Sequence, residues 1–221
     1  MRLLVATRNA GKLDELRRML DGAGIAGVEL LGLADVPPFP EAPETGRTFE
    51  DNALAKARDA ARATGLACVA DDSGLAVDEL NGMPGVLSAR WSGGHGEDRA
   101  NNALLLAQLR DTPAERRGAA FVCAVALVAP GAAAGGGERV VRGEWRGRIA
   151  GSPWGAGGFG YDPVFIPAEE DARVAAGEEL DRAGAAPRSA AELAPGEKDA
   201  LSHRGRALRL LLPELARLAG A

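Results

Sequence analysis

Val69-Ala70-Asp71-Asp72-Ser73-Gly74 is the stretch on which the reading of this chain turns. Residues 66–70 are apolar enough for a buried strand, and they run directly into two acids, a serine and a glycine. Adjacent carboxylates at the mouth of a strand repel one another and are costly to desolvate. A divalent cation is the simplest compensation. Asp, Ser and Gly are also ordinary turn residues, so by itself the stretch reads equally as a turn or as a metal site.

Upstream, residues 2–6 predict a first strand, and Leu13, Leu16 and Leu20 fall at helical spacing after it. Between them lies Thr7-Arg8-Asn9-Ala10-Gly11-Lys12. A strand, a small polar loop and a helix opening with Lys12 suit a phosphate group, because backbone N–H groups and the positive helix end face the anion. The loop lacks the GxxxxGK[ST] pattern of an ordinary ATPase. Residues 28–33 predict a second strand, and the proline-rich residues 37–46 predict irregular chain. Thr48 and Asp51 form a capping box for a helix reaching about residue 64, with Phe49, Ala53, Ala57 and Ala60 inward. Lys56 falls on another face and is expected to be solvated.

Downstream, residues 75–80 alternate as a half-buried strand, residues 88–96 read as a loop, and residues 98–110 predict a helix. Residues 119–129 form the best candidate for a central strand. Residues 138–149 alternate and are expected to pair with it across the glycine-rich residues 131–137. The loop Gly155-Ala156-Gly157-Gly158-Phe159-Gly160-Tyr161-Asp162-Pro163 combines close-approach glycines with a ring able to stack on a base. A plain turn with core aromatics competes with that account. Residues 168–188 have almost no large apolar side chains and predict a solvated insertion loop. Near the end, Ser202 is placed to cap a last helix carrying Leu208, Leu211, Leu212, Leu215 and Leu218, with His203 and Arg204 in its first turn. Cations there oppose the helix dipole, so an anion or keto oxygen would relieve them.

Of the 221 residues 46% are hydrophobic and 26% charged, the balance of a globular protein, and the formal net charge of −5 leaves no general basic field for a nucleic-acid polymer. No run is long enough to span a membrane and the first residues lack a signal-peptide pattern, so a cytoplasmic setting is expected. Cys68 and Cys123 sit in apolar runs and read as reduced core residues. The polar clusters offer Lys12, Lys56 and Lys198 for phosphate, Glu44 and Asp72 for a metal, and a glycine–aromatic–Asp loop with His203 and Arg204 for a base. That inventory fits a nucleoside triphosphate.

Five motifs then resemble the Ham1/inosine triphosphate pyrophosphatase family. They are residues 7–12, Glu44-Thr45-Gly46-Arg47-Thr48-Phe49 with Asn52-Ala53, residues 70–74, Gly158-Phe159-Gly160-Tyr161-Asp162-Pro163 and Ser202-His203-Arg204-Gly205. They follow the family's order and cover nearly the whole chain. The resemblance implies one α/β domain over residues 1–221: an elongated, mixed, twisted sheet with flanking helices and two lobes around a central cleft. It also implies a homodimer, Mg²⁺ as cofactor, and conversion of dITP, ITP or XTP to the monophosphate and pyrophosphate. By the same resemblance Thr7, Arg8, Asn9, Ala10, Gly11 and Lys12 hold the triphosphate, to which the residue inventory adds Lys56. Asp72 is the catalytic residue or a metal ligand, and Ser73 touches substrate. Phe159, Gly160, Tyr161 and Asp162 line the base pocket, Lys198 contacts the nucleotide, and His203 and Arg204 contact the purine. Arg8 stands where many relatives have Gly. The second metal carboxylate is Glu44 or Glu41. A sensor that binds a triphosphate without cleaving it, and a phosphatase releasing orthophosphate, are the competing functions. Asp72 weighs against the first, since a binder gains nothing from negative charge beside phosphate.

Overall fold

The computed structural model describes residues 1–8, 10–40, 43–129, 137–176 and 186–220. Its element order is β1 (Arg2–Val5), α1 (Ala10–Gly22), β2 (Glu29–Leu31), α2 (Phe49–Thr64), β3 (Ala67–Val77), α3 (Asp98–Gln108), β4 (Gly118–Val128), β5 (Glu138–Ile149), β6 (Phe165–Pro167), α4 (Ala168–Ala175), α5 (Pro195–Leu201) and α6 (His203–Ala219), with short 3₁₀ turns between several of them. The strands form one sheet in the order β2-β1-β3-β4-β5-β6. β1 runs parallel to β2 and β3, and β5 antiparallel to β6, so the sheet is mixed as expected.

The chain divides into two compact units. The first comprises Met1–Ser73, Cys123–Gly143 and His203–Ala221, and the second Gly74–Val122 and Glu144–Ser202. In the first, Leu3, Val5, Val69, Cys123, Val125, Leu127 and Val141 from the strands pack against Leu16 and Leu20 of α1 and Leu208, Leu211 and Leu215 of α6. In the second, Phe121, Trp145 and Phe165 pack together at centroid separations of 4.7 to 6.3 Å, in one cluster with Leu75, Leu105, Leu109 and Tyr161.

α2 follows its sequence closely. Thr48 Oγ1 accepts the Asp51 N–H at 3.1 Å, Asp51 Oδ2 accepts the Thr48 N–H at 3.2 Å, and Gly65 ends the helix at φ +69°. Both cysteines are free and buried.

Several expectations are corrected. The turn expected at residues 71–74 is strand, and β3 continues unbroken from Ala67 to Val77, absorbing part of the separate strand predicted at 75–80. Gly74 is needed there for closeness, because an added Cβ would stand 2.3 Å from Ser88 Oγ and 2.7 Å from the Gly85 carbonyl. The second strand shortens to Glu29–Leu31, and residues expected to be a loop begin with a 3₁₀ segment, Gly85–Arg90. The expected insertion loop at 168–188 opens instead with α4, whose Glu170 is buried. Residues 177–185, the glycine-rich residues 131–136, Asn9 and Glu41 lie outside the described residues.

Candidate active site

Side chains alternate across a strand, so Asp71 and Asp72 leave β3 on opposite faces. On one face Asp71 Oδ2 accepts Lys12 Nζ at 2.7 Å and Arg204 Nε at 3.4 Å, while Arg204 also donates to Ser73 Oγ at 3.4 Å and pairs with Glu15 at 3.7 Å. Lys12 stands in the first turn of α1 and Arg204 in the first turn of α6. Two cations that oppose helix dipoles are thus compensated by one strand carboxylate. Burial pushes the Asp71 carboxyl up, but Lys12 and Arg204 outweigh it and hold the group well below the usual carboxylate range. α6 reaches its place because Gly143 of β5 lacks a side chain. A Cβ there would meet the His203 carbonyl at 2.2 Å and Ala207 N at 2.5 Å.

On the other face α2 presents Asn52 and Lys56, four residues apart and therefore on one line of the helix. Asn52 Nδ2 donates to Asp72 Oδ2 at 2.9 Å, and Lys56 Nζ lies 3.3 Å from Asp72 Oδ1. Lys56 also pairs with Glu44 Oε1 at 2.5 Å. Lys56 is therefore held between two carboxylates, where a solvated lysine was expected. Asp72 titrates above the usual carboxylate range. Burial raises it, Lys56 and the Asn52 bond pull against burial, and Glu44 adds to the rise. The two aspartates, adjacent in sequence, are driven in opposite directions. Such a split marks a candidate proton acceptor.

Among the described residues no three His, Cys, Asp or Glu side chains gather as a metal-binding group. Glu44 and Asp72 nevertheless direct hard oxygen donors at one positive charge, the Lys56 ammonium, and that donor set fits Mg²⁺. Arg8 lines an open recess of about 260 Å³ with Leu33, Ala34, Pro38 and Phe39.

The second unit holds the glycine–aromatic loop. Gly155, Gly158 and Gly160 have φ of +85°, +73° and +62°. Asp162 is buried, and its Oδ2 accepts the Phe159 N–H at 2.8 Å together with Lys198 Nζ. The Lys198 ammonium lies 5.1 Å from the centroid of the Phe159 ring, which is itself 61% exposed. The structure thus brings Phe159, Asp162 and Lys198 together. Tyr161 turns the other way, into the core, with its hydroxyl donating to the Ser88 carbonyl at 2.9 Å. His203 is buried at the start of α6 in the first unit.

Asn52 and Glu15 are not among the site residues expected from sequence. For Asn52 a signal was present, since an amide beside Ala53 on an inward helix face requires a polar partner.

The profile of the Ham1 family matches residues 3–214. The chain belongs to the Ham1 family. A dITP/XTP pyrophosphatase of Nocardia farcinica is 67% identical over 218 residues, 99% of this chain and 96% of that protein. A crystal structure described as a nucleoside-triphosphatase, dITP/XTP pyrophosphatase, of Mycobacterium abscessus is 60% identical with a TM-score of 0.76, over 97% of this chain and 100% of the other. A Ham1 protein of Coxiella burnetii is 35% identical with a TM-score of 0.82, over 98% and 99%. In this Ham1-family chain, β3 is the strand that carries the paired acids.

Proposed function

We propose that this Ham1-family chain hydrolyses non-standard purine nucleoside triphosphates, dITP and ITP or XTP and dXTP, to the monophosphate and pyrophosphate. The names of its relatives support the reaction, and the observation that carries it is the environment of Asp72. A buried carboxylate with a raised pKa, fixed by Asn52 through one oxygen and facing the Lys56 ammonium with the other, is placed for proton transfer. In this reaction Asp72 Oδ1 takes a proton from water as the new bond to the α-phosphorus forms and the bond to the bridging oxygen of pyrophosphate breaks. The Lys56 charge favours the ionised form of Asp72 for that step. Mg²⁺, when bound, supplies charge neutralisation for the phosphate oxygens. Asp72 and Glu44 would hold it.

Thr7, Arg8, Gly11 and Lys12 are the phosphate ligands in this proposal, with Lys12 oriented by Asp71. Phe159 offers the stacking face for the purine, and Lys198 is poised beside it. A donor aimed at the 6-keto oxygen would be left unpaired by a 6-amino group, at a cost of about 1–3 kcal/mol. The Mg²⁺ requirement, the homodimer and the cytoplasmic setting belong to the same proposal. The test is incubation with dITP, XTP and dATP plus Mg²⁺, with pyrophosphate and orthophosphate quantified separately. Pyrophosphate from dITP and XTP in preference to dATP is expected. Orthophosphate release, or equal rates on dATP, would contradict the proposal, and binding without turnover would favour a sensor.

A further inference from the structure

Both backbone groups of Gly160 are held by one helix. Its N–H donates to Asp98 Oδ2 at 2.7 Å, and its carbonyl accepts from Asn102 Nδ2 at 3.0 Å. Asp98 and Asn102 are four residues apart on α3, so they lie one above the other on the same face. Gly160 has φ +62°, a conformation that needs to be held as well as permitted. Its neighbours are tied independently, the Phe159 N–H to Asp162 and the Tyr161 hydroxyl to the Ser88 carbonyl. Beside these fixed peptides the Phe159 ring stays exposed.

Asp98 also suits the first turn of α3, but ordinary helix stability does not account for Asn102. Asn101-Asn102 places two poor helix formers in succession inside α3. Asn101 uses both ends of its amide, accepting the Ser92 N–H at 2.8 Å and donating to the Ala89 carbonyl at 3.5 Å. Asn102 is 8% exposed, and among the described residues nothing bonds its Oδ1. Burying that unmatched acceptor is unfavourable, and the bond gained in return goes to Gly160.

We infer that Asp98 and Asn102 are positioning residues for purine binding: they fix the Gly160 peptide and, through it, the plane of the Phe159 ring. The inference rests on the proposed role of residues 159–162 as the base loop. Releasing the peptide weakens binding of the base and leaves the chemistry at Asp72 intact.

The test uses the full-length chain, steady-state kinetics on dITP, and inorganic tripolyphosphate as a competitor that has no base. Asp98→Ala and Asn102→Ala are expected to raise KM for dITP about tenfold, the loss of about one bond, equivalent to about 1.4 kcal/mol. kcat stays within about threefold of wild type, a margin under about 0.7 kcal/mol, and tripolyphosphate inhibition is unchanged. Asp98→Asn retains an acceptor and keeps the wild-type KM. Unchanged KM in both alanine variants, or an equal weakening of tripolyphosphate, overturns the inference. Should the alanine variants fail to fold, the nearly isosteric Asn102→Asp, which sets a carboxylate against the Gly160 carbonyl, decides it: a raised KM supports the inference and an unchanged KM overturns it. No wild-type turnover of dITP overturns the proposed function and this inference together. Wild-type turnover with unmoved variants overturns this inference alone.

Discussion

On β3 the side chains of Asp71 and Asp72 leave the backbone in opposite directions, and their partners come from different helices. Asp71 neutralises Lys12 and Arg204, whereas Asp72 is bound by Asn52 and Lys56 of α2. Their substitutions therefore separate. Asp72→Asn keeps the Asn52 bond through its carbonyl oxygen and should melt within a few degrees of wild type while kcat falls about 10²- to 10⁴-fold. Asp71→Asn removes the shared countercharge of two part-buried cations and should cost about 1.5–3 kcal/mol in urea unfolding. The titration of Asp72 offers a second check. In metal-free protein, Lys56→Gln removes a charge that favours the ionised form and moves the Asp72 carboxyl further up. Glu44→Gln removes a repelling charge and moves it down. Carboxyl NMR resonances followed through pH would show both signs, and shifts in one common direction would refute the assignment. The two adjacent acids were legible in the sequence as carboxylates that need compensation, which the structure supplies from Lys12, Arg204, Asn52 and Lys56. Their departure to opposite faces was not, because turn-forming Ser73 and Gly74 disguised a continuous strand, and period-2 alternation acts only once the strand continues.

Among the elements, those with apolar periodicity or a local cap were the most legible. α2 carries its own start and stop in Thr48, Asp51 and Gly65, and β4 is buried along almost its whole length, as its composition requires. α4 was missed because its stabilisation is ionic and partly remote in sequence. Glu170 accepts from Arg173 at 2.7 Å and from Arg188 through its backbone N–H at 3.0 Å and its guanidinium at 2.6 Å. Arg188 in turn pairs with Glu197 of α5, the residue before Lys198, at 2.5 Å. Hydropathy reads such a segment as solvated because it does not register a carboxylate buried against two guanidinium groups. Burial pushes Glu170 up, but the Arg188 and Arg173 bonds bring it from 4.5 down to about 2. A depressed folded pKa means that the unfolded chain binds the proton more readily. The stabilisation is present above about pH 5 and disappears as the pH falls toward 2. Glu170→Gln should therefore cost about 2–4 kcal/mol at pH 7. Its difference from wild type should shrink steadily in denaturant titrations between pH 5 and pH 2. A difference independent of pH would rule out the ionic account.

At the scale of the whole molecule, the mixed sheet and flanking helices were legible because strands and helices differ in their apolar period, and Ham1 family membership because five motifs keep their order along the chain. The division of labour was not legible. The acids of β3, with Lys12, Lys56 and Arg204, belong to one compact unit, and Phe159, Asp162 and Lys198 belong to the other. Sequence order alternates between the units, so neighbouring motifs give no indication of which side chains meet. Arg204 illustrates the point. It was assigned to the purine, and it is engaged with Asp71, Glu15 and Ser73. The central claim is that water attacks the α-phosphorus. Hydrolysis of dITP in H₂¹⁸O with Mg²⁺, analysed by mass spectrometry, tests it most directly. The account predicts one ¹⁸O in the monophosphate and none in pyrophosphate. Label in pyrophosphate, or release of labelled orthophosphate, would contradict it.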